Sequence, residues 1–178
     1  MTTQPDHGAR PDRIVRPEAA VDIDAVRKIH TLAFGQPQEA RLVDALRAAP
    51  DLTPIVSLVA IRDDQIVGHV LFSPIRIGHS RAMSLAPLAV LPEFQRQGFG
   101  AALTRAGLAA CARLGQPAVV VVGHPEYYPR FGFRPARTAG LEAPFEVSDA
   151  AFMVWESSPG ALAGIRGKVE YPSPFDDL

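Results

Sequence analysis

Two glycines one residue apart lie in the stretch Gln95-Arg96-Gln97-Gly98-Phe99-Gly100-Ala101. It follows the apolar run Leu88-Ala89-Val90 and opens a helix-like segment that ends near Leu114. A strand, a glycine-bearing loop and a helix in that order can hold an anion. The first N–H groups of a helix lack intrahelical partners, and the helix dipole places partial positive charge beside them. Gly98 and Gly100 have no Cβ to keep a phosphate away from the main chain. The same spacing also suits a bare strand-to-helix turn, so the loop alone leaves both readings open. Nucleotide alternatives fit less well. No Gly-Lys-Ser/Thr follows the loop, and Leu103 stands where a dinucleotide fingerprint carries glycine or alanine.

Other residues with chemistry to offer are Tyr127 and Tyr128, and the titratable His69, His79, His124, Glu39 and Glu93. A histidine inside a strand is more often structural than catalytic; His124, beyond a strand and close to Tyr128, is the best placed as a base. The lone Cys111 falls mid-helix on an apolar face and reads as a small buried hydrophobe. Asp22, Asp24, Asp63 and Asp64 occupy capping or turn positions rather than a metal cluster. Glu39 reads as a solvated helix-start carboxylate.

The elements that must position these groups follow from hydrophobic periodicity. Residues 1–12 are polar and read as a flexible tail. Residues 13–16 form a short strand, and Asp22 caps a helix whose Ile23, Val26, Ile29 and Ala33 run to a stop at Gly35. Pro37 starts a second helix with Leu42, Ala45 and Leu46 on one face. Strands at 55–61 and 66–77 flank the turn Arg62-Asp63-Asp64-Gln65. Residues 83–90 make a further strand in which Pro87 implies a bulge or a failure of pairing. In the helix after the loop, Leu103, Gly107, Ala110, Cys111 and Leu114 share a face of mostly small residues. Ala118 to Val122 is a central strand covered on both sides. A turn follows near Tyr128, then a loop over 136–148, a strand over 151–155, a weak strand over 168–171 and a loose acidic tail from Pro172.

The chain has 178 residues, 47% hydrophobic and 21% charged, with a formal net charge of -1. That suits one globular domain and gives no general attraction to nucleic acid or anionic membrane. A local basic patch could draw on Arg76, Arg81, Arg96 and Arg105. One cysteine excludes an internal disulfide and accords with a reducing cytoplasm. No signal-peptide pattern or membrane-length apolar run is present in the sequence.

Taken together, Leu88-Ala89-Val90-Leu91-Pro92-Glu93 and Gln95-Arg96-Gln97-Gly98-Phe99-Gly100 resemble the acyl-CoA-binding motif Q/R-x-x-G-x-G/A of the GNAT superfamily of N-acetyltransferases. Tyr128-Pro129-Arg130-Phe131-Gly132-Phe133 is similar to its second signature, a tyrosine followed four residues later by Gly-Phe. Pro87 and the Gly-His-Pro-Glu-Tyr-Tyr run resemble a bacterial subgroup whose acceptors are mostly unassigned. The resemblance implies an α/β fold with a mixed, mostly antiparallel sheet of six or seven strands. That sheet splays between its fourth and fifth strands and is flanked by about four helices. One domain would span 13–171, between tails at 1–12 and 172–178.

By the same resemblance, acetyl-CoA is the co-substrate and no metal is needed. Leu88, Ala89 and Val90 would meet the pantetheine arm, and Gln95 through Ala101 (Gln95, Arg96, Gln97, Gly98, Phe99, Gly100, Ala101) would wrap the pyrophosphate, with Tyr128 and Phe131 completing the slot. The Val90 N–H would polarise the thioester carbonyl and Tyr128, or Tyr127 in its place, would act as general acid. The strand over 83–90 lacks the glutamate some members carry, which leaves His124, a water relay or no dedicated base. The expected function is acetyl transfer to a primary amine of a small molecule or peptide in a ternary complex, the alternative a non-catalytic acyl-CoA-binding module. The first two helices are expected to line the acceptor pocket, and a homodimer is compatible with the chain.

Overall fold

A computed structural model describes residues 13–177. In chain order it contains β1 (Ile14–Pro17), α1 (Ile23–Phe34), α2 (Gln38–Ala48), β2 (Val56–Arg62), β3 (Gln65–Ile77), β4 (Ser80–Val90) and α3 (Phe99–Arg113). There follow β5 (Ala118–Val122), β6 (Arg134–Pro135), β7 (Leu141–Glu142), β8 (Phe152–Glu156) and β9 (Gly167–Glu170). The main path of the sheet runs β1-β2-β3-β4-β5-β8-β6, with β9 pairing both β3 and β7. Every pair is antiparallel except β4 with β5 and β7 with β9. Among the described residues three α-helices accompany this sheet where about four were expected; the remaining helical pieces are short 3-10 turns.

The β2–β3 turn forms where the sequence places it. Asp63 and Asp64 both take positive φ, at 47° and 62°, the pair of left-handed residues that a two-residue hairpin turn needs to match strand twist. Pro87 acts as expected too. Along β3 and β4, Phe72 pairs with Leu85 but Val70 pairs with Leu88, so Ala86 and Pro87 together oppose the single residue Leu71. This is a bulge, and the parallel pairing of β4 with β5 stops just before it, at Met83↔Val119 and Ser84↔Val120. Beyond Ser84 the two strands separate.

The core has two sides. Helix α3 covers one face, where Phe72, Leu103, Met83 and Val119 are fully buried; each such side chain contributes on the order of 2 kcal/mol. Its close approach depends on Gly107, because a Cβ there would lie 2.0 Å from the Phe72 ring. Leu114, expected on this face, is 47% exposed, since the helix ends before it. On the other face α1 and α2 pack Val26, Leu42, Val43 and Leu46 on Val59 and Leu71; Ala45 is exposed and Val43 takes the inward place instead. Farther along that face, residues from 136 onward cover β5 and β8. The segment 136–148, expected as a loop, contains a 3-10 turn (Ala136–Ala139) and β7, and buries Ala136 and Leu141.

The C-terminal segment is not loose within the described residues. Ser173–Asp177 forms a 3-10 turn, and Phe175 packs against the α1–α2 core. The expected tail at 1–12 lies outside the described residues. Asp22 does not cap α1 with its side chain. It receives both Arg16 guanidinium nitrogens at 2.6 and 2.9 Å and the Ala19 N–H at 2.7 Å, so its carboxyl is held below the usual range, chiefly by Arg16. The four arginines considered for a basic patch divide: Arg76 and Arg81 face each other across β3–β4, Arg96 lies in the glycine loop, and Arg105 lies on α3 over the Phe131 ring.

Candidate active site

The separation of β4 from β5 leaves a cleft of about 840 Å³. Leu88 and Val90 form one wall; Gln95, Arg96, Gly98, Gly100 and Ala101 form the end; His124, Tyr127, Tyr128 and Arg130 form the opposite wall. The register fixes what β4 offers. The Leu91 N–H bonds the Val67 carbonyl at 2.9 Å, so the neighbouring pair Gly68↔Val90 is the non-hydrogen-bonded kind. The N–H and C=O of Val90, and by the same alternation those of Leu88, therefore point away from β3, into the opening. The amide of Gln95 already uses one of them, donating to the Val90 carbonyl at 3.1 Å.

The glycine loop has the backbone geometry that can hold an anion. Arg96 and Gly98 both have positive φ, 58° and 90°, and alternating handedness of this kind turns successive N–H groups inward. Gly98 caps α3, whose first backbone bond runs from the Ala102 N–H to the Gly98 carbonyl. The N–H groups of Phe99, Gly100 and Ala101 therefore have no intrahelical acceptor. At Gly98 a side chain would be strained by the φ and would meet the Arg13 guanidinium 2.6 Å from its Cβ. Arg96 and Arg130 on the cleft wall add the positive charge that phosphates favour.

Both tyrosines reach the cleft. Tyr128 is buried against Phe133 and the edge of Tyr127. Burial first, and the neighbouring Tyr127 second, push its phenol well above the ordinary range, so it stays protonated at neutral pH. The fit is close: a Cβ on Gly123 would lie 2.4 Å from the Tyr128 ring. Tyr127 is half-buried, its ring beneath the Arg130 guanidinium at 4.6 Å. Its hydroxyl spans to the start of α3, 2.8 Å from where a Cβ on Gly100 would sit. Burial raises this phenol as well, against the opposing effects of Thr104, Arg130 and Arg105.

Four of the residues expected at the slot do not line it. Ala89 pairs with His69, which commits its backbone to β3, and its side chain packs against α1. The Gln97 amide donates to the Glu93 carbonyl and accepts from Arg62. Phe99 is a core residue, so only its N–H faces the cradle. Phe131 packs on Tyr127 and under Arg105. In the other direction, Phe94 and Arg130 line the cleft without having been singled out. Arg130 lies inside the Tyr-Pro-Arg-Phe-Gly-Phe run, and that position was the one available signal.

Of the other titratable groups, His124 is exposed on the cleft wall. His69 is fully buried and belongs to a polar chain behind β4. Ser57 donates to Glu18, which can only accept, so Ser57 accepts from His69 Nε2–H at 2.8 Å. His69 Nδ1 then accepts from His30 Nε2–H at 2.8 Å, and His30 Nδ1 is left as a buried acceptor without a partner. Arg47 closes the far end on Glu18 at 2.6 Å. Burial foremost, then its neighbour His69, lowers His30 to about 3, and burial also lowers His69. Burial alone would raise Glu18, but His69, Ser57 and Arg47 hold it at about 2. Cys111 is fully buried and its thiol is pushed up to about 12, which makes it inert as a nucleophile. Glu39 is half-buried at the start of α2 and accepts from the Gln36 amide.

Residues 23–133 match the model of the Acetyltransferase (GNAT) family. The uncharacterized N-acetyltransferase YhbS of Escherichia coli K12 is 34% identical over 166 residues, 92% of this chain and 98% of that protein. The crystal structure of Escherichia coli YhbS in complex with CoA superimposes with a TM-score of 0.88 at 33% identity, covering 96% of each chain. A GNAT family acetyltransferase from Brucella melitensis, in complex with acetyl-CoA, gives a TM-score of 0.76 at 34% identity over 92% of this chain and 98% of that one. The fold that carries the β4–β5 opening is thus shared with GNAT proteins solved with CoA or acetyl-CoA bound. The chain belongs to the Acetyltransferase (GNAT) family.

Proposed function

We propose that residues 13–171 form one catalytic domain that transfers the acetyl group of acetyl-CoA directly to a primary amine. The observation that carries this reading is the pair of outward-facing backbone edges at Leu88 and Val90, set between the Gly98–Ala101 cradle and Tyr128. The CoA and acetyl-CoA held by the YhbS and Brucella proteins support the same occupant. In this arrangement the N–H groups at the start of α3 and Arg96 take the pyrophosphate. The pantetheine arm lies along Leu88 and Val90 like an added strand. The Val90 N–H meets the thioester oxygen as negative charge builds on it.

The balance is simple. The amine nitrogen forms a bond to the acetyl carbon, the C–S bond breaks, and the sulfur leaves as thiolate. Tyr128, kept neutral by burial, gives that thiolate its proton and recovers one as the acylated nitrogen sheds its extra proton to the phenolate, directly or through water. His124 on the cleft wall is the base assigned to the incoming ammonium, directly or through water. Proton transfer of this kind contributes on the order of 10²- to 10⁴-fold. Tyr128→Phe should therefore lower kcat by about that factor while CoA affinity, read by calorimetry, stays within about twofold. A replacement of Gly98 should abolish CoA binding with the fold retained. Unchanged turnover in Tyr128→Phe would remove the acid role, and unchanged affinity at Gly98 would remove the cradle.

A further inference from the structure

A second cleft, of about 830 Å³, lies on the opposite face of the sheet at the same opening. Its floor is Ser84 and Ala86 of β4 and Val122 of β5. These are the strand positions next to Leu88 and His124, which line the acetyl-CoA slot. The two clefts therefore flank one gap. The size lies within the range of small-molecule pockets. Among the described residues, α1 and α2 do not line it. It is walled by Pro144, Phe145, the end of β9 with Tyr171, and Phe175 and Asp176 from the part the sequence suggested was a loose tail.

That wall is aromatic and acidic. Tyr171 stands between Phe145 at 5.9 Å and Phe175 at 5.1 Å. Burial pushes the Tyr171 phenol up to about 12, against the opposing effect of the Ser84 hydroxyl nearby. Behind that floor, opposite Ser84 on β3 and on the same face, Ser73 Oγ is buried with no partner. Glu170 and Asp176 sit at the rim, and neither is ion-paired among the described residues; Lys168 is the one cation in the lining. Aromatic faces beside unpaired carboxylates attract an ammonium group carried on an apolar body.

We propose that this cleft is the acceptor site and that it takes a small cationic amine with an apolar or aromatic body, rather than a polypeptide terminus. The assignment rests on the acetyltransferase reading above. The amine enters from the C-terminal face and meets the acetyl group at the gap between Ala86 and Val122. Phe145, Tyr171 and Phe175 hold its body, and Glu170 and Asp176 draw it in as a cation.

Phenethylamine is the probe, with a peptide bearing a free N-terminal alanine as the competitor class. Full-length protein with acetyl-CoA should release thiol with phenethylamine. Phe175→Ala and the double variant Glu170→Gln/Asp176→Asn should each raise the phenethylamine KM by about fivefold or more, the factor that one lost cation–aromatic contact represents. The acetyl-CoA KM should not move, and Phe175→Tyr should restore the wild-type value. Separately, NMR titration with phenethylamine alone should shift the amides of residues 144–145, 168–171 and 175. Turnover of the peptide but not of phenethylamine overturns the proposal. So does an unchanged phenethylamine KM in the variants, or amide shifts confined to other regions. If acetyl-CoA fails to bind while phenethylamine still shifts these amides, the transferase reading falls and the amine site stands.

Discussion

The buried chain His30–His69–Ser57–Glu18–Arg47 makes stability depend on pH in a calculable way. In the folded protein His30 titrates at about 3, lowered chiefly by burial, and His69 is lowered too. In the unfolded chain both titrate near 6.5. Above that value both rings are neutral in both states and nothing is lost. As pH falls below it, the unfolded chain binds protons that the folded protein refuses, so stability drops with acidification. Each such group costs about 1.4 kcal/mol per pH unit. From pH 7.5 to 5.0, His30 alone should therefore cost about 2 kcal/mol, and His69 up to as much again. The contribution of Glu18 runs on a separate window: its folded value is about 2 against 4.5 when unfolded, so its stabilisation is present above 4.5 and drains between there and 2. Urea unfolding at the two pH values, followed through the single tryptophan, Trp155, measures the difference. A fall of about 2 to 4 kcal/mol is expected for the wild type and a fall smaller by about 2 kcal/mol for His30→Phe, which removes that site. A wild-type fall below about 1 kcal/mol would refute the claim that the pair is buried and neutral.

Three other outcomes follow from close contacts. Gly107→Ala should destabilise the protein by about 1 to 3 kcal/mol in thermal unfolding, even though alanine is the better helix former, because the new methyl collides with Phe72. Gly123→Ala should displace the Tyr128 ring and lower kcat more than CoA affinity; equal losses would mean that the ring is only a wall of the slot. Cys111 should resist iodoacetamide in native buffer at pH 8 and react fully in denaturant, and rapid native labelling would contradict its burial.

What was legible in the sequence was local. The Asp63–Asp64 turn, the interruption at Pro87, the glycine loop before α3 and the valine run of β5 each follow from a few adjacent residues and their backbone preferences. The cradle could be read because its chemistry is mostly main chain and its glycines are contiguous. The side-chain roles were less visible. Whether Ala89 or Leu88 faces the slot depends on hydrogen-bond phase between β3 and β4, which composition does not encode. Glu18, His30, Ser57 and His69 come from four separate elements, so no spacing marks them as partners. The second cleft was hidden for the same reason: its wall joins Phe145, Tyr171 and Phe175 to a floor on β4 that lies about sixty to ninety positions earlier in the chain.

The bulge at Ala86–Pro87 carries a consequence of parity. The four β4 residues that line the two clefts, Ser84, Ala86, Leu88 and Val90, are all even-numbered. In an unbroken strand, alternation would turn all four toward one side and leave the other chamber without a β4 wall. The extra residue shifts the phase by one, so the first two look toward the C-terminal chamber and the last two toward α3. A single inserted position thus lets one strand serve as a partition furnished on both sides, and its removal would turn Leu88 and Val90 to the same side as Ser84 and Ala86 rather than merely straighten the strand.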